Sequence, residues 1–451
     1  MTLPVSASPK ARPALKSLDD ALTELLGHAA ALPGSQQVST FDADGRVLAQ
    51  DVVSSLHVPP QDNSAMDGYA VRCEDVQQSG ALLQVSQRIA AGSSGEPLRV
   101  KNAARIFTGA PIPPGADAVV MQEDCNIVNG PAGQGGSPVV LGDVRVNAVP
   151  QIGQWIRRAG EDVQQGAVVL SKGERLTPAA LGLAASIGMN SLLVGRQPRV
   201  ALFSTGDELV MPGDVAPQNM KPGAIYNSNR FFLRALLVRL GCKVTDFGIV
   251  PDRLEATLQA LRRASSDHDL VLTSGGVSVG EEDHIKPAVQ ALGALNLWQI
   301  AIKPGKPFAY GRIHRPVPTE PVEAGNRVPS SATGSGPTDF CHFMGLPGNP
   351  VSSFITFLVL VRPFLLRLQG VTDVALKSTP LPAHFAWPRA DKRREFLRVR
   401  RNAAGGLDLF PNQSSGVLTS AVWGDGVIDN PPGQTIAHGD VVQFIPFAEL
   451  I

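Results

Sequence analysis

After Pro198 the chain alternates short apolar runs with amphipathic stretches of helical period. Strands are expected at 199–209, 244–250, 269–274 and 297–302, and helices at 227–241, 252–264 and 284–293. Strand–helix alternation over this length implies a parallel, doubly wound sheet with helices on both faces, because parallel neighbours need a crossover and each sheet face needs cover. In such a sheet a ligand binds in the crevice outside the carboxyl ends of the strands. That rule draws Thr205, Asp207, Glu208, Asp252, residues 273–283 and the segment after Ile302 to one rim.

The most informative part of the rim is 269–283. Leu270, Val271 and Leu272 suit a strand buried on both faces, and Thr273, Ser274, Gly275 and Gly276 end it abruptly. The glycines let backbone N–H groups turn toward one point, and Ser274 and Ser278 add hydroxyls, so the loop can hold an anion such as phosphate. Glu281, Glu282 and Asp283 follow. Carboxylates beside a phosphate imply a divalent cation between them or a large, two-ended ligand. A glycine turn before an acidic helix start accounts for the same residues, and the loop alone leaves both readings open.

Two further loops fall on this rim. In Lys303-Pro-Gly-Lys-Pro307 two lysines flank a stiffened turn at a strand end. In Gly345-Leu-Pro-Gly-Asn-Pro350 a strand turns into a helix: Gly348 is expected to permit the turn, Asn349 to cap and Pro350 to start the helix, with Ser352 and Ser353 where free N–H groups point outward.

Elsewhere the pattern changes. Ser17 caps a helix with Leu18, Leu22, Leu25 and Leu26 on one face, and 177–194 reads as a helix returning toward it, capped by Thr177 with Pro178 first. Residues 56–164 carry short β-like runs broken by Gly and Pro, and β character returns beyond Gly370. Residues 315–339, rich in Pro, Ser, Thr and Gly, read as a disordered insertion. Lysine plus arginine and aspartate plus glutamate balance at 40 each, which leaves no global footprint for nucleic acid or an acidic membrane. The four cysteines are isolated, as in a reduced cytosolic protein. No apolar signal core precedes Lys16, and the apolar segment 354–361 is expected to end at Arg362 and Pro363, short of a membrane span.

Asp62-Asn-Ser-Ala-Met-Asp-Gly-Tyr69, Phe107-Thr-Gly-Ala-Pro111, Ser204-Thr-Gly-Asp-Glu208, 273–280, 303–307 and 345–350 together resemble the molybdopterin molybdenumtransferase family, which includes the gephyrin E domain. Six motifs in one order are far more specific than one glycine loop. The resemblance covers roughly 17–451 and implies four domains in an α/β multidomain fold. These are a helical and β dimerisation domain from 17–55 and 165–196, an inserted β domain at 56–164, the doubly wound molybdopterin-binding domain at 197–371, and a C-terminal β barrel at 372–451.

It further implies a cytoplasmic homodimer, without nucleic acid or membrane partners, that inserts molybdate into molybdopterin. The substrate is adenylylated molybdopterin, the cofactor is Mg2+, and AMP and molybdenum cofactor are released. A molybdopterin adenylyltransferase would donate substrate, and apo-molybdoenzymes or carrier chaperones would accept the product. By the same resemblance Thr205, Thr273, Ser274, Gly275, Gly276, Ser278, Gly280, Pro347, Gly348, Asn349, Ser352 and Ser353 line the pterin and phosphate site. Asp252 and Asp283 contact the pterin or its metal, and Asp207, Glu208 and Asp283 are the metal candidates. Lys303, Lys306 and Arg398 supply positive charge, while Asp67, Thr108 and Asp162 close the cleft from the neighbouring subunit. A phosphoanhydride hydrolase and a non-enzymatic scaffold are the competing readings.

Overall fold

The structure is a computed structural model that describes residues 15–130, 141–277, 284–316 and 339–450. Its centre is a six-stranded sheet in the order Lys243–Val250, Arg199–Thr205, Leu270–Ser274, Phe340–Leu346, Pro307–His314, Gly293–Gln299. The first four strands are parallel, as expected. The last two are not: Gly293–Gln299 pairs antiparallel with Pro307–His314, which pairs antiparallel with Phe340–Leu346. The sheet is therefore mixed. The expected strand 297–302 divides, and Ile302–Lys303 leaves to pair with Arg394 and Glu395 of the C-terminal sheet.

Both faces are covered. Leu270 and Leu272 pack into one apolar cluster with Leu233, Leu237, Phe357 and Phe364, while Val271 joins another with Leu261, Ala264, Ile285 and Val289. Helices Asn229–Arg239 and 350–368 thus cover one face, and Leu254–Asp267 and Ile285–Leu292 the other.

The 350–368 helix corrects the expected stop at Arg362 and Pro363. A π-helical turn, Phe357–Val361, joins Pro350–Thr356 to Arg362–Leu368. The wider turn accommodates the proline that would otherwise clash with the preceding helical carbonyls. At 19 residues and mean hydropathy 1.8 this helix could cross a membrane by composition, yet 89% of it is buried inside the fold.

Ser17 caps helix Leu18–Gly27 through the Asp20 N–H, as expected. Its Leu18, Ala21 and Leu25 enter the cluster that holds Phe364 and Leu365, so it packs on the central domain. The expected return of 177–194 toward it does not occur. Thr177 and Pro178 do start a helix, but it ends at Ser186, and Ser191–Gly195 becomes a strand paired with Ser35–Ser39. Val52–Val53 pairs with Val168–Leu170, and these elements share a separate core containing Leu48, Val163, Leu170 and Leu192.

Between them lies a six-stranded sheet, in the order Ala118–Met121, Gly68–Val71, Asn102–Ile106, Ala81–Ile89, Asp143–Val146, Cys125–Val128. The C-terminal sheet runs Ile302–Lys303, Arg394–Arg401, Gly426–Asn430, Val441–Pro446, Thr379–Pro382, with Leu407–Leu409 beside Arg394–Arg401. A single bridge from Ala383, just past Thr379–Pro382, to Leu407 ties that end of the sheet to the strand beside Arg394–Arg401. Of the proposed insertion, 317–338 lies outside the described residues; Arg315 N–H donates to Asp339 O across its base.

Candidate functional site

Three neighbouring parallel strands stop together, with Ser204 opposite Ser274 and Ser274 opposite Leu346. Val250 opposite Thr205 brings Asp252 alongside. Gly275 N–H donates to Leu346 O at 3.0 Å and closes the turn. Gly275 and Gly276 have φ of +91° and +67°. A Cβ on Gly275 would stand 2.7 Å from Thr205 O, and one on Gly276 2.5 Å from Ile285 Cγ1. Both positions therefore need glycine, for conformation and for space.

Two cavities open here, of about 330 and 320 Å³. The first is lined by Thr205, Glu208, Tyr226, Asn227, Asn229, Ser274, Gly348 and Asn349 among others. The second takes in Gly206, Asp252, Gly276, Pro307, Pro347 and Ser352. Thr205, Glu208, Gly275, Gly348 and Asn349 line both, so they are two lobes of one cleft. Asp207 lines a neighbouring cavity of about 560 Å³ beyond Glu208, and its Oδ1 accepts from Asp252 N–H at 3.4 Å.

The lobes thus unite Thr205, Glu208, Asp252, Ser274, Gly275, Gly276, Pro347, Gly348, Asn349 and Ser352. Other expected residues stand elsewhere. Thr273 is fully buried, its Oγ1 has no hydrogen-bond partner, and it lines neither lobe, because strand alternation turns it away from Ser274. Ser353 is also fully buried, with an unpartnered Oγ. Asn349 makes no side-chain cap, and the Val351 N–H at the helix start donates to Ser415 O. Gly348 is not required by the turn, since an added Cβ meets nothing within 4 Å and its φ is not positive; its carbonyl instead accepts from Asn229 Nδ2 at 2.7 Å.

Lys303 has partners that its loop does not show. Carried into the C-terminal sheet, its Nζ lies 3.0 Å from Glu395 Oε1 and 3.3 Å from Asp391 Oδ2, so its charge is already matched. Lys306 forms no ion pair among the described residues and sits beside Pro307 of the second lobe. Arg398 is 1% exposed and donates to Ser420 Oγ, Phe396 O and Ser414 O. No carboxylate pairs with it among the described residues, and burial pushes its guanidinium down to about 10.

Asp67 and Thr108 meet in the N-terminal sheet unit, where Asp67 Oδ1 accepts from the Thr108 N–H and hydroxyl, both at 2.7 Å. The Thr108 N–H first and its hydroxyl next hold the Asp67 carboxyl below its usual range. Asp162 is exposed beside the Val58–Val163 bridge, and none of the three lines either lobe. Ser278, Gly280 and Asp283 lie outside the described residues. Among the described residues no group of three His, Cys, Asp or Glu side chains is gathered for a metal.

Two lining residues escaped the sequence reading. Asn227 and Asn229 are 2% and 7% exposed; Asn227 Nδ2 and Asn229 Oδ1 have no partner. The signal available was an Asn-Ser-Asn run where a helix start needs one cap.

The fold and cleft define a multidomain α/β protein whose central sheet presents a glycine turn and carboxylates to a two-lobed ligand site. Residues 16–188 match the MoeA N-terminal region (domain I and II), 201–367 the probable molybdopterin binding domain, and 380–447 the MoeA C-terminal region (domain IV). The molybdopterin molybdenumtransferase of Haemophilus influenzae is 40% identical over 96% of this chain and 99% of its own. Molybdopterin molybdenumtransferase 2 of Mycobacterium tuberculosis is 36% identical over 87% of this chain and 90% of its own. The crystal structure of the molybdopterin biosynthesis moeA protein of Pyrococcus horikoshii superposes with a TM-score of 0.76 at 26% identity, covering 96% of this chain and 100% of that one. The chain belongs to the molybdopterin molybdenumtransferase family, a family of enzymes.

Proposed function

We propose that this enzyme works in molybdenum cofactor biosynthesis, inserting molybdate into the dithiolene of molybdopterin, with adenylylated molybdopterin and Mg2+ as reactant and cofactor and with release of AMP. The observation that carries the reading is the two-lobed cleft whose lobes share Thr205 and Glu208. A ligand with a heterocycle at one end and phosphates at the other needs two compartments of different chemistry meeting at one point.

On this reading Gly275 and Gly276 orient the phosphates in the second lobe with Ser352 at the helix start, Ser274 faces the first lobe, and the buried Ser353 hydroxyl stands one residue past Ser352. Lys306 and Arg398 supply positive charge to the molybdate end. Arg398 suits this role because a buried, unpaired guanidinium is costly until an anion joins it. Asp207, Glu208 and Asp283 would hold Mg2+, and one or two carboxylates suffice when substrate phosphates complete the shell. When bound, the ion offsets charge on the adenylate phosphates. Water, or a molybdate oxygen whose mixed anhydride then hydrolyses, attacks the adenylyl phosphorus; the P–O bond to the molybdopterin phosphate breaks, AMP is released, and no side-chain nucleophile is needed.

The tied C-terminal sheet fits a barrel. The paired segments around 35–53 and 168–195 fit a dimerisation unit of a cytoplasmic homodimer. Asp67, Thr108 and Asp162 would then close the cleft of the neighbouring subunit. An adenylyltransferase as donor and apo-molybdoenzymes or carrier chaperones as acceptors complete the scheme. The test is AMP release from adenylylated molybdopterin with Mg2+, with and without molybdate, for the wild type and Glu208→Gln. Molybdate-dependent release that falls at least 100-fold in the variant is expected; release indifferent to molybdate would mean a phosphoanhydride hydrolase.

A further inference from the structure

The first lobe carries a hydrogen-bonding pattern left incomplete by the protein. Asn227 is pinned through its Oδ1, which accepts the Arg230 N–H at 3.3 Å, and Asn229 through its Nδ2, which donates to Gly348 O at 2.7 Å. Each amide then has one atom left: a donor on Asn227 and an acceptor on Asn229, both buried and both unpartnered. Unpaired buried polar atoms are costly, and two on residues lining one cavity mark a place completed by a ligand. Glu208 lines the same cavity and adds a carboxylate acceptor.

We infer that this lobe reads the aminopyrimidinone edge of the pterin, with Asn227 and Asn229 as specificity-determining residues; the inference rests on the reading above and names which end of the substrate lies where. The free set is one donor and two acceptors. A 2-amino-4-oxo ring edge offers the complement, two N–H donors and a carbonyl acceptor. An adenine edge offers one donor beside one acceptor and leaves a protein acceptor unmatched. Phosphate offers acceptors alone and leaves the Asn229 Oδ1 acceptor unmatched. The glycine turn, by contrast, borders the second lobe with both Gly275 and Gly276, which leaves the phosphates there. A carboxylate shared by both lobes can offer one oxygen to each.

The experiment measures fluorescence-detected binding of unsubstituted pterin to the full chain, beside binding of AMP. One comparison changes the ligand: 2,4-dioxopteridine puts a carbonyl where pterin has its amino group, and is expected to bind at least tenfold more weakly to the wild type. The other changes the protein. Asn227→Asp keeps an oxygen to cap Arg230 and turns the free donor into an acceptor, so pterin affinity should fall at least tenfold, by a much larger factor than AMP affinity. The isosteric swap of charge is controlled by Asn229→Asp, which keeps the free acceptor and should spare pterin binding by comparison. Equal affinity for the two pteridines, no pterin binding by the wild type, or a loss confined to AMP would each overturn the inference, the last by placing the nucleotide base in the lobe. The transferase reading fails separately, on molybdate-independent AMP release, whichever way pterin binding goes.

Discussion

The strand Leu270–Ser274 has buried polar groups at both ends, and the two ends treat them differently. At the amino end Asp269 is 3% exposed and fully engaged: Arg196 makes two 2.7 Å hydrogen bonds to it and the Arg199 N–H a third at 2.8 Å. Beside it, His342 accepts from or donates to the Tyr310 hydroxyl at 3.0 Å, and its N–H bonds Asp269 O. At the carboxyl end, Asn227, Asn229 and Ser353 each leave a buried atom unpaired; Arg398 of the C-terminal sheet, which lines neither lobe, likewise has no counter-charge among the described residues. The same sheet thus separates closed polar networks, which specify the fold, from open ones, which wait for a ligand.

The largest expected effect lies at the closed end. Asp269→Asn takes the charged partner from Arg196, which is 27% exposed at its side chain, and removes a 3.8 Å ion pair to Arg315. Breaking a buried pair in this way costs roughly 3–5 kcal/mol, read as a lower urea midpoint at unchanged slope. A loss under about 1 kcal/mol would erase the contrast between the two ends.

Acid probes the same end. Burial first, then Arg312, pushes the His342 imidazole down to about 4 from its ordinary 6.5. The folded state therefore resists a proton the unfolded chain accepts. Its contribution is fully present above about pH 6.5 and is lost as pH falls toward 4, in all about 3 kcal/mol. For Asp269, burial works against the paired Arg196 hydrogen bonds and the Arg199 amide, which prevail and keep the carboxyl below its usual range, so its share is lost only at lower pH still. Stability measured at pH 7 and 4.5 should differ by much of the histidine share, and His342→Gln should flatten that interval. An unchanged slope in the variant would assign the loss to other groups.

At the open end ligand binding suffers more than stability. Arg398→Met removes a buried charge without a counter-ion but also the donors to Ser420 Oγ, Phe396 O and Ser414 O, so stability should fall by about 1–3 kcal/mol, while molybdate affinity falls roughly tenfold to a hundredfold, the worth of a charge-assisted contact of about 1.5–3 kcal/mol. Titration calorimetry with molybdate and a denaturation curve settle the pair. A large loss of stability with affinity intact would make Arg398 a structural residue of the C-terminal sheet.

How much of this was legible follows from the range of the interactions involved. The parallel strands, the Gly275–Gly276 turn and the rim from Thr205 to Asp252 come from local periodicity and backbone limits, which a sequence displays directly. Lys303 misled because its partners, Glu395 and Asp391, lie about ninety residues on in a sheet that borrows Ile302–Lys303. The 350–368 helix ran past its expected stop because a π turn absorbed Pro363. Asn227 and Asn229 lie in the expected helix 227–241 and carry no local sign of a ligand role; only packing shows each with one atom spent and one left over.

The smallest effect is the sharpest test of the difference between the ends. Ser353 is fully buried, yet its hydroxyl has no partner, one residue past the Ser352 that lines the second lobe. If the hydroxyl only filled space, Ser353→Ala would relieve an unsatisfied group and leave ligand binding alone. If it waits for an anion, the same change should leave stability equal or higher by up to about 1 kcal/mol and weaken AMP binding severalfold, the worth of one hydrogen bond. A closed network admits no substitution with that signature, because removing a satisfied group always exposes its partner. A variant that loses stability and keeps AMP affinity would move Ser353 to the closed class.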